Sequence, residues 1–201
     1  MSKSPTFVMK RYLFLTTTLL SLFFFGCEKE VITPQSNDAP ELTLSTEGHI
    51  RPTVQCGSSS YTTFKNGTTP YGSVEILNNS EQLFILTDMN NGWLLESVKI
   101  FAGNTVNLPK GFGGTIELEE FPFQMIHPRR VDKYTYTLPV ASLPTCFGVT
   151  IWAKAAQVNM FGQVTNRVDL WANGAAVLNG FSFQYCKGSC FMNNNSNQSD
   201  I

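Results

Sequence analysis

The chain has 201 residues, 14 basic against 15 acidic, with 42% hydrophobic and only 14% charged residues. A near-neutral chain of this length has one or at most two domains and no electrostatic case for binding nucleic acid. With two histidines and five cysteines, metal- and histidine-based chemistry has little material to work with.

A basic start with Lys3, Lys10 and Arg11 runs into the apolar segment Tyr12–Phe25 and ends in Gly26-Cys27. Basic, apolar, small residue and cleavage site is the order of a secretory signal. The apolar run of 14 residues, broken by Thr16-Thr17-Thr18 and Ser21, is short of the ~20 a spanning helix needs. Cysteine after the small residue makes the segment resemble a bacterial lipoprotein signal. That resemblance implies diacylation of Cys27, cleavage on its N-side and a membrane anchor. Residues 1–26 are then lost, leaving 11 basic residues against 15 acidic, a net charge of −4. Phe24 departs from the aliphatic residue usual three positions before such a cysteine, a looseness seen in Bacteroidota lipoproteins. The next residues, Glu28-Lys29-Glu30, are similar to the signal that sends lipoproteins of that phylum to the outer face of the outer membrane.

Residues 27–53 read as a tether. Pro34, Pro40 and Pro52 interrupt regular elements, and Gln35-Ser36-Asn37-Asp38 is polar without periodicity. Residues 191–201 are an Asn-rich tail of low complexity. Between them, residues 54–190 make one domain.

That domain reads as strands in succession: Gly72–Leu77, Gln82–Asp88, Trp93–Ala102, Thr115–Phe121, Lys133–Pro139, Cys146–Lys154, Val164–Trp171 and a last one through Phe181, Phe183 and Tyr185. In several, apolar residues alternate with polar ones, as on half-buried strands. Ile116 and Leu118 alternate with Glu117 and Glu119; Phe147, Val149, Ile151 and Ala153 share one face. Asn90-Asn91-Gly92 sits between two strands as a tight-turn signal, and Asn173-Gly174, Asn179-Gly180 and Gly111–Gly114 punctuate the rest. No stretch sustains a helical period. The expectation is an all-β fold, an antiparallel β-sandwich of about eight strands.

The run Gly92-Trp93 through Phe101-Ala102-Gly103 resembles the hairpin strand of an uncharacterised secreted β-sandwich module common in Bacteroidota. Tyr134–Leu138 and Pro144–Ala156 resemble its next two strands. Lys99 stands where that module commonly has histidine, and Lys154 interrupts the later strand. The resemblance implies fold and compartment alone.

Once lipid takes Cys27, Cys56, Cys146, Cys186 and Cys190 remain, an even number suited to disulfides in an oxidising compartment, with three connectivities open. A local Cys186–Cys190 loop leaving Cys56 to reach Cys146 is one; a staple from Cys56 to the C-terminal pair is its rival. Zinc spacing is missing, so no metal and no cofactor are expected. No catalytic residues are assigned. His127 lies beside Pro128-Arg129-Arg130 and reads as a solvated loop residue, and Glu117, Glu119 and Glu120 read as a solvated strand face.

Aromatic residues on the polar side of strands are more informative. If Ile151 and Leu170 point inward, Trp152 points outward with Thr150 and Lys154, and Trp171 with Arg167 and Asp169. Indoles flanked by hydrogen-bonding groups suit a sugar face or a protein partner. Trp152, Trp171, Arg167 and Asp169 are therefore the ligand-binding candidates. The sequence favours a lipid-anchored cell-surface binding or adhesion module for a glycan or surface protein. A glycan hydrolase using paired carboxylates and a structural subunit of an envelope assembly are the alternatives.

Overall fold

Polar-apolar alternation dictates sheets with one apolar face turned inward, and the chain meets this with eleven strands among the described residues, 43–190 of a computed structural model, Leu77, Phe84 and Leu86 forming a second buried cluster on the first layer. They are β1 (Thr43–Glu47), β2 (Cys56–Asn66), β3 (Thr69–Asn78), β4 (Gln82–Met89), β5 (Trp93–Gly103), β6 (Phe123–Val131), β7 (Lys133–Pro139), β8 (Cys146–Val158), β9 (Val164–Ala172), β10 (Ala175–Val177) and β11 (Gly180–Cys186). Every pairing is antiparallel. The strand order is β1-β7-β4-β3-β2-β9-β8-β11-β10, with β5 on the other edge of β8 and β6 beyond it.

The result is an antiparallel β-sandwich rolled into a nearly closed barrel. Strands β1-β7-β4-β3-β2 form the first layer, and β9, β8, β5 and β6, with β11 and β10, form the second. At one margin the layers join through only two residue pairs, Phe64↔Ala172 and Lys65↔Trp171. At the other, Asp132 alone separates β6 from β7, and its carbonyl accepts from Met89 N at 2.8 Å. Phe64, Ile76, Ile85, Tyr136 and Leu138 meet Leu95, Val149, Ile151, Ala153 and Leu170 in one core, all nearly inaccessible. Burying such side chains, about 1.5–3 kcal/mol each for the larger ones, drives the two layers together.

The Asn90-Asn91-Gly92 turn forms as its chemistry requires. Asn91 and Gly92 take φ of 55° and 73°, and Trp93 N donates to Asn90 O at 3.0 Å, the left-handed pair of a tight hairpin. Trp93 then plugs the core edge-on to Tyr71, with centroids 5.1 Å apart.

Five elements differ from the sequence reading, among them the three-residue β10, which lies between two turn signals. Residues 43–53, read as tether, carry β1 and then a strap across the first layer, where Ile50 N donates to Thr135 Oγ1 and Arg51 pairs with Glu75. Strand β2 was hidden because its exposed face is a run of Ser and Thr, with only Cys56 and Phe64 fully buried. Strand β6 contains Pro128, tolerated because its far edge has no sheet partner among the described residues. Thr115–Phe121 is not a strand. Gly113 and Gly114, at φ 75° and 78°, send the chain over the outside of the second layer. There Ile116 makes one bridge to Lys110 and Leu118–Glu120 coil into a 3-10 turn. The alternation of Ile116 and Leu118 with two glutamates reflects one side packed on an outer cluster, not a sheet neighbour.

The disulfides are Cys146–Cys186 and Cys56–Cys190. The local Cys186–Cys190 loop is overturned because Cys186 stands directly opposite Cys146 in the β8–β11 ladder. Beyond Cys186 the chain crosses to the start of β2. Gly188 N and Tyr185 Oη both donate to buried Asn78 Oδ1, at 3.0 and 2.9 Å, and Lys187 Nζ donates to the Val140 and Leu143 carbonyls. A side chain on Gly188 would collide with the Cys56 backbone, so glycine admits this crossing. The described residues belong to one compact unit, Asp38–Ile201, holding its own core and both disulfides.

Cys56–Cys190 spans 134 residues, for which loop-closure entropy predicts about 5 kcal/mol, reduced in practice to roughly 2–5 kcal/mol. Replacing both with serine should lower unfolding stability by that amount in a urea titration. Peptide mapping without reduction should find Cys56 linked to Cys190; a Cys186–Cys190 peptide would contradict the pairing.

Candidate functional site

The second layer exposes an outer face through β5, β8, β9 and the end of β2. Ile151, Ala153 and Leu170 are wholly buried inside, so their neighbours Trp152, Lys154, Asp169 and Trp171 stand on the outer face. Register then lines up Lys99, Trp152, Trp171 and Lys65 as cross-strand neighbours over four strands. Lys154 and Asp169 form the next rung.

Both indoles are half-buried rather than bare, for different reasons. Lys99 Nζ lies 5.8 Å from the Trp152 ring centroid and is held by Glu119 at 2.7 Å. A cation over an indole face is attractive, and here it occupies that face. Trp171 leans on the outer cluster of Phe101 from β5 with Leu108, Ile116 and Phe121 from the 104–121 segment. Gly180 lets it do so, since a Cβ there would lie 2.7 Å from the indole ring.

Beside Trp171 opens a groove of about 270 Å³ lined by Lys65, Asn66, Asp169, Asn173 and Phe181. Asn66 Nδ2 donates to Asp169 O at 3.0 Å, and Asn173 is fixed through its backbone to Thr63 O and Thr62 Oγ1. The groove has one cation, one anion, two amides and two aromatic rings. That is the donor set for a neutral, hydroxyl-rich ligand with an apolar face.

Arg167 is not among the groove-lining residues. Its guanidinium makes two hydrogen bonds to Glu96, at 2.9 and 3.3 Å, and Arg130 bonds the same carboxylate at 2.7 Å. The Arg167 hydrogen bond is the largest cause holding the Glu96 carboxyl below its usual pKa. The trio fastens β5, β6 and β9 together. Trp152 faces the same side as the groove but does not line it. Phe181, Lys65, Asn66 and Asn173 were missed. Phe181 was grouped with Phe183 and Tyr185, but β11 pairs with β10 at its start and with β8 only from Phe183, leaving Phe181 38% exposed.

The carboxylates are not arranged as a pair on a strand face. Glu119 is engaged by Lys99, and Glu117 lies in the loop beside Gly111. Among the described residues no group of three or more His, Cys, Asp or Glu side chains could hold a metal, and no helix is long and apolar enough to cross a membrane. A further cavity of about 480 Å³, between Asn104, Thr105, Pro144, Gly148, Ser182 and Gln184, has no charged lining residue.

His127 is not the solvated loop residue its sequence context suggested. It sits buried on β6, with Nε2 2.8 Å from the Tyr136 hydroxyl and its ring 4.7 Å from that of Tyr134. Burial pushes its pKa down from 6.5 to about 4.

No family model, curated protein or solved structure matches the chain.

Because folded His127 resists protonation, the unfolded chain takes up one more proton between pH 6.5 and about 4. Its contribution to stability is complete above pH 6.5, declines as the pH falls to about 4 and changes little below that. Thermal unfolding across this range should show the decline, and His127→Gln should flatten it. An unchanged slope in the variant would assign the titration elsewhere.

Proposed function

We propose that this protein is a non-catalytic binding module, held at the outer surface of a bacterial outer membrane by lipid on Cys27, with the Trp171 groove receiving a glycan. The observation that carries the reading is the groove itself. Trp171 offers an indole locked by Gly180, Phe181 supplies a second exposed ring, and Asp169, Asn66, Asn173 and Lys65 surround them with donors and acceptors. Lys65 and Asp169 cancel in charge, which favours an uncharged saccharide over a polyanion. His127, the one histidine on a strand among the described residues, is buried against Tyr136, and Glu119 is held by Lys99 and not set opposite a second carboxylate, so binding has more support than hydrolysis.

A glycan array with the purified 38–201 unit tests this. Phe181→Ala and Asp169→Asn alter exposed groups and should leave stability within about 0.5 kcal/mol. Each should weaken glycan binding roughly tenfold, equivalent to about 1.4 kcal/mol. Trp171→Ala should abolish binding while costing some stability, because its ring also covers the outer cluster. Binding to no neutral glycan, or equal binding by the Asp169 and Phe181 variants, would remove the groove from function; capture of a surface protein alone would favour the adhesion reading.

The anchor has its own test. Cys27→Ser should leave the precursor uncleaved and block palmitate incorporation in cells. The resemblance of residues 1–30 to a lipoprotein signal motivates it, and equal labelling of both proteins would rule the anchor out.

A further inference from the structure

The β8–β9 hairpin ends in Met160 and Phe161, 92% and 80% exposed. Two adjacent large apolar side chains in water need a reason, because ordinary turns are built from polar residues. This turn is held firmly. Asn159 Oδ1 accepts from Phe161 N and Gln163 N, both at 3.0 Å. The Asn159 backbone exchanges 2.9 Å bonds with Gln163 and Gly162, and Asn159 Nδ2 donates to Gln163 Oε1. Gly162 supplies the left-handed φ of 75°. The apolar pair is thus presented on a fixed support.

Charge is excluded from the same place. From Ala155 to Asn166 the hairpin has no ionisable residue, and the neighbouring Asn90–Gly92 turn, joined to it by Gln157 Nε2 donating to Asn91 O, has none either. Immediately behind lies the Glu96, Arg130 and Arg167 trio, with two cations on one carboxylate, and Arg167 stands opposite Ala156. An uncharged apolar tip with net positive charge one step behind is the order of an interfacial membrane anchor: apolar groups among acyl chains, cations at the phosphates.

We propose that the Met160–Phe161 tip inserts into a lipid-bilayer interface. A protein partner fits less well, since two side chains bury roughly 400 Å² at most, against about 800 Å² per side for a standard interface. This site is separate from the Trp171 groove and does not depend on it. The two disulfides gather at the far end of β8, roughly 40 Å away along the strand. The tip therefore leads at the end opposite the one where β1 enters the sheet beside Thr137.

Vesicle flotation of the 38–201 unit, which lacks the signal segment, tests the proposal. Wild type should float with phosphatidylcholine vesicles and more strongly once phosphatidylglycerol is added. A Met160→Ser, Phe161→Ser double variant, checked for unchanged thermal unfolding, should bind both roughly tenfold more weakly. Failure of wild type to float, or flotation only with phosphatidylglycerol and unaffected by the double variant, would overturn insertion. So would tip-dependent capture of a protein without any vesicle binding. Loss of glycan binding in the groove variants with flotation intact would leave this proposal standing.

Discussion

Strand β8 is enclosed on its inner face and along both edges. Its inner face, Phe147, Val149, Ile151, Ala153 and Ala155, lies in the core almost without exposure, and its two edges are paired along nearly their whole length. One edge belongs to β5. The other is divided between β11 near Cys146 and β9 beyond Trp152. A strand with no free edge must have its partners placed before its backbone groups are satisfied, since a buried unpaired amide costs roughly 1–3 kcal/mol. The second layer therefore assembles around β8, and the first layer closes over its apolar face.

Division of that edge shapes the candidate site. Where β9 leaves β8 after Trp171 and β11 takes over at Phe183, the short β10–β11 hairpin stands off the sheet. Trp171 fills the angle between them, resting on Gly180 and Ile116, and the groove opens on its free side. Cys146–Cys186 ties down the ladder at that branch, and Cys56–Cys190 brings β2 against the end of the chain. The branch that β8 requires, the covalent ties and the groove are thus parts of one arrangement. At the other end β8 runs on past its partners' core rows and presents the Met160–Phe161 tip.

Much of the fold was legible in the sequence. Strands β4, β5, β7, β8 and β9 lie within a few residues of their predicted spans because apolar residues recur along each, although β4 and β7 are buried on both faces and not on alternate residues alone. The outer elements were less legible, for physical reasons. Strand β2 has few buried residues, so tertiary pairing rather than pattern makes it a strand. Strand β6 contains Pro128, which resembles a breaker until its unpartnered edge is known. In Thr115–Phe121 the same alternation arose from a segment lying on a cluster, since a period of two reports one covered side and not what covers it.

Facing along a strand follows from alternation alone, so the sequence by itself determined that Trp152 and Trp171 share the side of Lys154 and Asp169, and that four cysteines suit two bridges. Cross-strand register and loop routing decided the rest. Lys99 reaches Trp152 because β5 pairs with β8, Arg167 is drawn to Glu96 because β9 and β5 flank the same strand, and Phe181 joins Trp171 only where β11 turns away. Cys190 meets Cys56 across 134 residues of chain. Such meetings are set by which strands become neighbours, a choice made by the burial of the whole core and not by any local run of residues.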